Sequence, residues 1–218
     1  MKKLLPGIFI KERKLLVLNP IPSYRPFNDE IVREGGKVYR VWNPRRSKAA
    51  AAILKGISEF PIKEGDKLLY LGAAHGYTCS FISNIIGERG LIYAVEFSER
   101  CFKELLPICR KYKNIIPIIA DARKPELYFW IEEVDTVYCD IADPQETEIA
   151  IRNCEEFLKS GGYLLLAIKA RSIDVTMKPK EVYKKEMKKL ENSNFKIIDY
   201  KPLDPLEKDH AFIIAKFK

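Results

Sequence analysis

From residue 46 onward the sequence alternates short, almost wholly apolar runs with longer amphipathic segments, and this alternation restricts the fold more than any other feature. The apolar runs fall at 67–72, 91–97, 115–120, 134–140 and 163–169; helical segments fill the gaps, notably 99–112, 145–158 and 180–191. A strand that is apolar on both sides must be covered on both faces, so the pattern predicts a parallel sheet between helical layers. Ser47 supplies an N-cap for a further helix predicted over 48–59, where the alanines at 49–52 are strong helix formers. The end of the chain breaks the rule. Residues 195–200 and 211–217 read as strands with only 201–210 between them, too short for a helical crossover, so this pair is predicted antiparallel. The expected class is α/β: a Rossmann-like, seven-stranded, mostly parallel sheet with a terminal antiparallel hairpin. That ending is more typical of methyltransferases than of dehydrogenases, by analogy of fold.

The first 45 residues differ in texture. They hold five of the thirteen prolines, and β-like runs at 8–10, 15–18 and 38–42 are separated by turn pairs such as Asn19-Pro20 and Gly35-Gly36. We expect a small antiparallel β domain over 1–45 and the main α/β domain over 46–218, a division that 218 residues can support. No run approaches the roughly 18 apolar residues of a membrane span. Lys2 and Lys3 are followed by Pro6, Gly7 and Lys11, so no signal peptide is read there and a cytoplasmic protein is expected. The five cysteines form no Cys-x-x-Cys pair, and two histidines do not complete a zinc site; reduced thiols and no metal are expected. The net charge of +8 suits a phosphate-rich partner, yet a lysine- and glutamate-rich surface with the single glutamine Gln145 also suits a thermophile. Charge alone does not decide between them.

The first apolar strand runs into Leu69-Tyr70-Leu71-Gly72-Ala73-Ala74-His75-Gly76-Tyr77-Thr78. Glycine and alanine at a strand–helix turn let the backbone approach a ligand closely. The second strand ends at Glu96, 24 residues after Gly72, where a carboxylate can accept from both hydroxyls of a ribose. The third ends at Asp121-Ala122, placed to read an adenine amino group. The turn alone would fit NAD, FAD or S-adenosylmethionine. Ala74 stands where a dinucleotide fingerprint has its second glycine, the one that admits a pyrophosphate. S-adenosylmethionine has no phosphate to cradle. An adenosine-type cofactor is expected.

Several longer stretches resemble, in order, motifs of the fibrillarin family. They are Tyr39-Arg40-Val41-Trp42-Asn43-Pro44-Arg45-Arg46-Ser47-Lys48, Leu69-Tyr70-Leu71-Gly72-Ala73-Ala74, Tyr93-Ala94-Val95-Glu96-Phe97-Ser98 and Asn114-Ile115-Ile116-Pro117. Asp121-Ala122-Arg123, Asp140-Ile141-Ala142, Ile168-Lys169-Ala170 and Asp209-His210-Ala211 complete the series, which runs from about residue 37 to the end. The resemblance implies methyl transfer from S-adenosylmethionine to the ribose 2′-hydroxyl of rRNA and tRNA. It implies a Lys–Asp–Lys–His set at Lys48, Asp140, Lys169 and His210. Cofactor contacts are expected at Gly72, Ala73, Tyr77, Thr78, Glu96, Phe97, Asp121, Ala122, Asp140, Ile141, Ala142 and Asp143. Tyr77 replaces a usual threonine, Asp143 a usual glutamine and His75 a small residue, which puts contacts at 77 and 143 in question. The implied partners are a box C/D guide RNA paired to the target, a Nop-domain scaffold protein and a kink-turn-binding ribosomal-type protein.

The residues themselves point to the same four positions. Asp140 and Lys169 end two apolar runs at the carboxyl rim, where open α/β sheets bind ligands. His210 opens an antiparallel strand at that rim, and Lys48 opens a helix just ahead of the first core strand. A ribose hydroxyl attacks poorly while protonated, so transfer needs positioning, charge stabilisation and a proton acceptor. Which lysine or histidine takes the proton stays open at this stage. Arg45, Arg46, Arg123 and Arg171 lie near the rim and are expected to contact RNA phosphates, whereas the lysines over 178–189 spread around a helix as a solvated face. A stand-alone RNA methyltransferase, a non-catalytic RNA-binding scaffold and, more remotely, an NAD-linked dehydrogenase are the competing readings.

Overall fold

The computed structural model describes residues 1–218. The chain opens with five strands: β1 (Lys2–Leu5), β2 (Ile8–Lys11), β3 (Lys14–Leu18), β4 (Ile31–Glu34) and β5 (Lys37–Val41). They form one antiparallel sheet in the order β1-β2-β3-β5-β4. The sequence reading found three of these. The two it missed, β1 and β4, are the edges of the sheet and carry Lys2, Lys3, Arg33 and Glu34, charges that blunt an edge and erase the apolar alternation.

Helix α1 (Lys48–Leu54) follows, then β6 (Lys67–Leu71), α2 (Tyr77–Ile86), β7 (Leu91–Glu96), α3 (Glu99–Lys111) and β8 (Ile115–Ile119). The second half contains β9 (Val134–Cys139), α4 (Glu146–Phe157), β10 (Leu158–Lys169), the short α5 (Ala170–Ile173), α6 (Pro179–Asn192), β11 (Phe195–Pro202) and β12 (His210–Phe217). The seven strands order as β11-β12-β10-β9-β6-β7-β8. Of these only β12 runs against its neighbours, pairing antiparallel with both β10 and β11. The α/β architecture expected from the apolar runs is therefore the one present. Helix α1 is shorter than its predicted span of 48–59: Gly56 turns at φ +77°, and its N–H is taken by the Ile53 carbonyl, closing the helix at its C-terminus.

Each face of the large sheet has its own apolar core. One packs β9 and β10 against α4 and α6, through residues such as Val137, Leu166, Ile149, Val182 and Leu190. The other joins Leu68 and Tyr70 of β6 to Phe81 and Ile82 of α2. That core also takes in Ile8, Leu15 and Val17 of the small sheet and Trp42 after it, so the two sheets share buried contacts rather than merely abutting. Trp42 stacks on Phe81 with centroids 5.2 Å apart. No helix is long and apolar enough to cross a membrane.

Candidate active site

Strand register gathers the predicted residues along one rim. Leu71 of β6 lies beside Val95 of β7 and Cys139 of β9, so Gly72, Glu96 and Asp140 emerge side by side at the carboxyl edge. Lys169 ends β10 directly opposite His210, the first residue of β12. The chain ends of β6 and β9 are held unusually close. A Cβ at Gly72, which sits at φ +79°, would lie 2.9 Å from the Asp140 carbonyl oxygen, so only glycine permits this approach.

The glycine turn wraps the Glu96 carboxylate. The Ala74 N–H donates to Oε2 at 2.8 Å and the Ser98 N–H donates to Oε1 at 2.8 Å. Each oxygen keeps a lone pair free for a hydroxyl donor. Next to this buried carboxylate, Phe97 presents its ring to solvent with 73% of the residue exposed. A carboxylate for a diol beside an exposed aromatic face fits a nucleoside, and the turn, with Ala74 in place of a glycine, offers no pyrophosphate cradle. The donor set therefore fits the adenosyl half of S-adenosylmethionine.

Other predicted contacts have firm partners of their own. Both Asp121 oxygens lie 3.0 Å from Nε of Arg123, and one lies 2.8 Å from its Nη2. The Arg123 guanidinium holds the Asp121 carboxyl below the ordinary range. Ala122 is buried, and its carbonyl accepts from Asn153 at 2.9 Å. Thr78 donates to Ser47 Oγ at 3.0 Å, tying the start of α2 to the cap of α1. Tyr77 turns the other way: its hydroxyl accepts the Asn43 N–H at 3.2 Å, Phe27 packs edge-on at 5.1 Å and Arg46 stacks 4.1 Å over its ring. The replacement of threonine by tyrosine thus places this side chain against the N-terminal unit, apart from the rim. Ile141 is half-buried and Ala142 exposed, while Asp143 accepts the Gln145 N–H at 2.8 Å.

The lysine–carboxylate pair forms as the sequence predicts. Nζ of Lys169 lies 2.9 Å from Asp140 Oδ1 and donates to the carbonyls of Asp140 at 2.8 Å and Ile141 at 2.6 Å. Two carbonyls thus take hydrogen bonds from this amine, and the carboxylate lies beside it as a counter-charge. Lys48 reaches the same carboxylate from α1, with Nζ 3.1 Å from Oδ1. Burial works against both charges, but each side overrides it. The Asp140 carboxyl ends below its ordinary range because of Lys48 and Lys169, and the Lys48 ammonium ends above its own because of Asp140. His210 has Nδ1 2.6 Å from the Lys208 carbonyl oxygen. A carbonyl only accepts, so Nδ1 carries the proton and Nε2 is the free position.

The four arginines divide into two pairs. Arg45 is exposed and makes no ion pair, and Arg46 is exposed above Tyr77 with no carboxylate partner. Arg123 is neutralised by Asp121, with Asp143 at 4.0 Å, and Arg171 pairs with Asp209 at 3.0 Å. One residue that the sequence reading did not single out also touches the site. Glu146, wholly buried at the start of α4, accepts the backbone N–H of Lys169 at 2.8 Å. In the sequence it looks like an ordinary acid in a first helical turn, favourable to the helix dipole, and nothing there marks it as pointing inward.

A model of the fibrillarin family matches residues 1–218. A fibrillarin-like rRNA/tRNA 2′-O-methyltransferase of Aeropyrum pernix is 50% identical over 215 residues, covering 96% of this chain and 92% of that protein. The crystal structure of Aeropyrum pernix fibrillarin with natively bound S-adenosyl-L-methionine superposes with a TM-score of 0.86 at 50% identity, over 93% of this chain and 88% of the other. A crystallised fibrillarin/Nop5p complex contains a chain that matches with a TM-score of 0.89 at 41% identity, each chain covered to 100%. A rim that holds Glu96, Asp140 and Lys169 in motif order is thus set in a sequence matched along its whole length, and the chain belongs to the fibrillarin family.

Proposed function

We propose that this protein transfers the methyl group of S-adenosylmethionine to the ribose 2′-oxygen of rRNA and tRNA. The observation that carries the reading is the Asp140 carboxylate held between two lysine ammoniums on the rim that also bears Glu96. When bound, S-adenosylmethionine supplies an electrophilic methyl group on a sulfonium centre. Glu96 would hold its ribose hydroxyls, Phe97 its adenine face and Asp121 with Ala122 the adenine edge. Gly72, Ala73, Thr78 and the segment 140–143 would line the remainder, with Tyr77 contributing backbone alone.

Each rim residue then has a task its geometry suits. Lys169 spends two of its N–H donors on the Asp140 and Ile141 carbonyls and has its third to offer the 2′-oxygen as negative charge develops there. Lys48 supplies a second positive charge, which Asp140 keeps in place, and the Asp140 carboxylate aims both amines. With both amines held against Asp140 and Nδ1 engaged by the Lys208 carbonyl, His210 Nε2 is the unoccupied nitrogen of the set, and we assign proton acceptance to it.

The target nucleotide is selected by a box C/D guide RNA, in a cytoplasmic particle with a Nop-domain scaffold and a kink-turn-binding ribosomal-type protein. Support comes from the names of its relatives and from the fibrillarin/Nop5p complex. Residues 1–45 form the supporting unit and 46–218 the transferase unit. The test is transfer of labelled methyl to RNA with and without the assembled guide particle. Guide-dependent labelling supports the reading; equal labelling of bare RNA makes the protein a stand-alone methyltransferase, and failure to bind S-adenosylmethionine makes it a scaffold.

A further inference from the structure

The reactive lysine is fixed by a residue outside the Lys–Asp–Lys–His set. Beyond Leu166, which pairs with Cys139, β10 has no parallel neighbour, because β9 has ended and the chain has turned away through Asp140 and Ile141. The Ala170 N–H turns toward β12 and donates to the Asp209 carbonyl at 3.1 Å. Backbone donors alternate along a strand, so the Lys169 N–H faces the opposite side, where strand β9 no longer offers an acceptor. Glu146 Oε1 fills that place at 2.8 Å, from a side chain with no exposed surface. An unmet donor there would carry the full cost of a buried orphan and would free the last residue of β10 to move.

We infer that Glu146 is a positioning residue for methyl transfer: its carboxyl oxygen substitutes for the missing strand and fixes the peptide from which Lys169 reaches Asp140. Two facts favour a positional over an electrostatic role. Burial pushes the Glu146 carboxyl well above the ordinary range, opposed by the Lys169 N–H and its charge, and Asp140 and Glu186 add to the rise. The second oxygen, Oε2, is buried without a hydrogen-bond partner, so a single acceptor atom carries the contact. An uncharged side chain with a carbonyl at the same point serves equally well.

This inference rests on the methyl-transfer reading above. The test compares wild type, Glu146→Gln and Glu146→Leu in the assembled particle, reading kcat, KM and calorimetric affinity for S-adenosylmethionine. Glu146→Leu is expected to lower kcat by about 100-fold, the order of loss that a misplacement near 1 Å causes. Its KM and cofactor affinity stay within about threefold of wild type, and Glu146→Gln keeps kcat within about threefold. If the leucine variant fails to fold, Glu146→Asp, one methylene short of the Lys169 N–H, is expected to show the same fall in kcat. Wild-type turnover in the leucine variant, or equal loss in the glutamine and leucine variants, overturns the inference. Amide hydrogen exchange in the chain alone decides it independently of activity: the Lys169 amide should be protected in wild type and glutamine variant and fast in the leucine variant. Equal exchange in all three overturns the role even where turnover is absent, whereas wild type without methyl transfer refutes the functional reading instead.

Discussion

Replacing Arg40 by alanine tests how the two sheets are joined. Arg40 is wholly buried, and its guanidinium donates to Asp29 Oδ2 from Nε at 3.0 Å and from Nη2 at 2.7 Å. It also donates to the Ser80 carbonyl at 3.3 Å, to Ser80 Oγ at 2.9 Å and to the Tyr112 hydroxyl at 3.1 Å, and it lies 3.9 Å over the Phe81 ring. These partners come from the N-terminal loop, α2 and the end of α3, so one side chain ties three segments together. Removing it leaves the Asp29 carboxylate with 2% of its side chain exposed and no cation. Breaking such a buried pair from one side costs roughly 3–5 kcal/mol. For a chain of this length each kcal/mol moves Tm by about 2–4 °C, so Arg40→Ala should lower it by about 6–20 °C. Removing the charges together, as Arg40→Met with Asp29→Leu, should restore most of the loss, because no unpaired ion is left behind. Scanning calorimetry of the three proteins reads the result. An alanine variant within about 3 °C of wild type, or a double variant no better than the single one, would refute the reasoning.

Other perturbations address the rim. Lys169→Ala should abolish methyl transfer while calorimetry still detects S-adenosylmethionine binding; turnover at the wild-type rate would remove Lys169 from the mechanism. Asp140 is held ionised below the ordinary carboxylate range, so the stability of its pairing is present above that range and disappears as pH falls through its lowered value. Asp140→Asn should therefore flatten the stability profile below about pH 4, and an unchanged acid limb in denaturant titrations would contradict this. Arg45→Ala with Arg46→Ala should reduce the salt slope of RNA binding by about 1.4–1.8, one single- or double-strand phosphate contact per arginine. The same change at Arg123 and Arg171, already paired with Asp121 and Asp209, should reduce it less, and equal effects would show those ion pairs to be open in the complex.

Much of the fold was legible because its strands are apolar on both faces. Leu68, Leu69, Leu71, Val137, Leu164, Leu165 and Leu166 are all buried, and no alternating edge pattern competes with that signal. The Lys169–Asp140 ion pair was legible for the converse reason. Asp140 and Lys169 are charges that end apolar runs, and a charge in that place demands a partner at the rim. What the sequence hid depends on side-chain direction. Glu146 reads as a helix-start acid, and only the early end of β9 turns it into an acceptor for Lys169. Arg40 sits in the β-like run 38–42, and its partners lie 11, 40 and 72 residues away in the chain. Arg123 and Arg171 looked like free cations because the carboxylates that neutralise them face the same way only once the rim is assembled.

The central claim, that this rim delivers a methyl group to a ribose 2′-oxygen, is tested most directly by a single-atom change in the substrate. Two target RNAs, identical except that one lacks the 2′-oxygen at the guide-specified nucleotide, are offered to the assembled particle with labelled S-adenosylmethionine. Label should enter the hydroxyl-bearing RNA at that nucleotide and be absent from the deoxy version. Equal labelling of the two would place the methyl group on another atom and contradict the account.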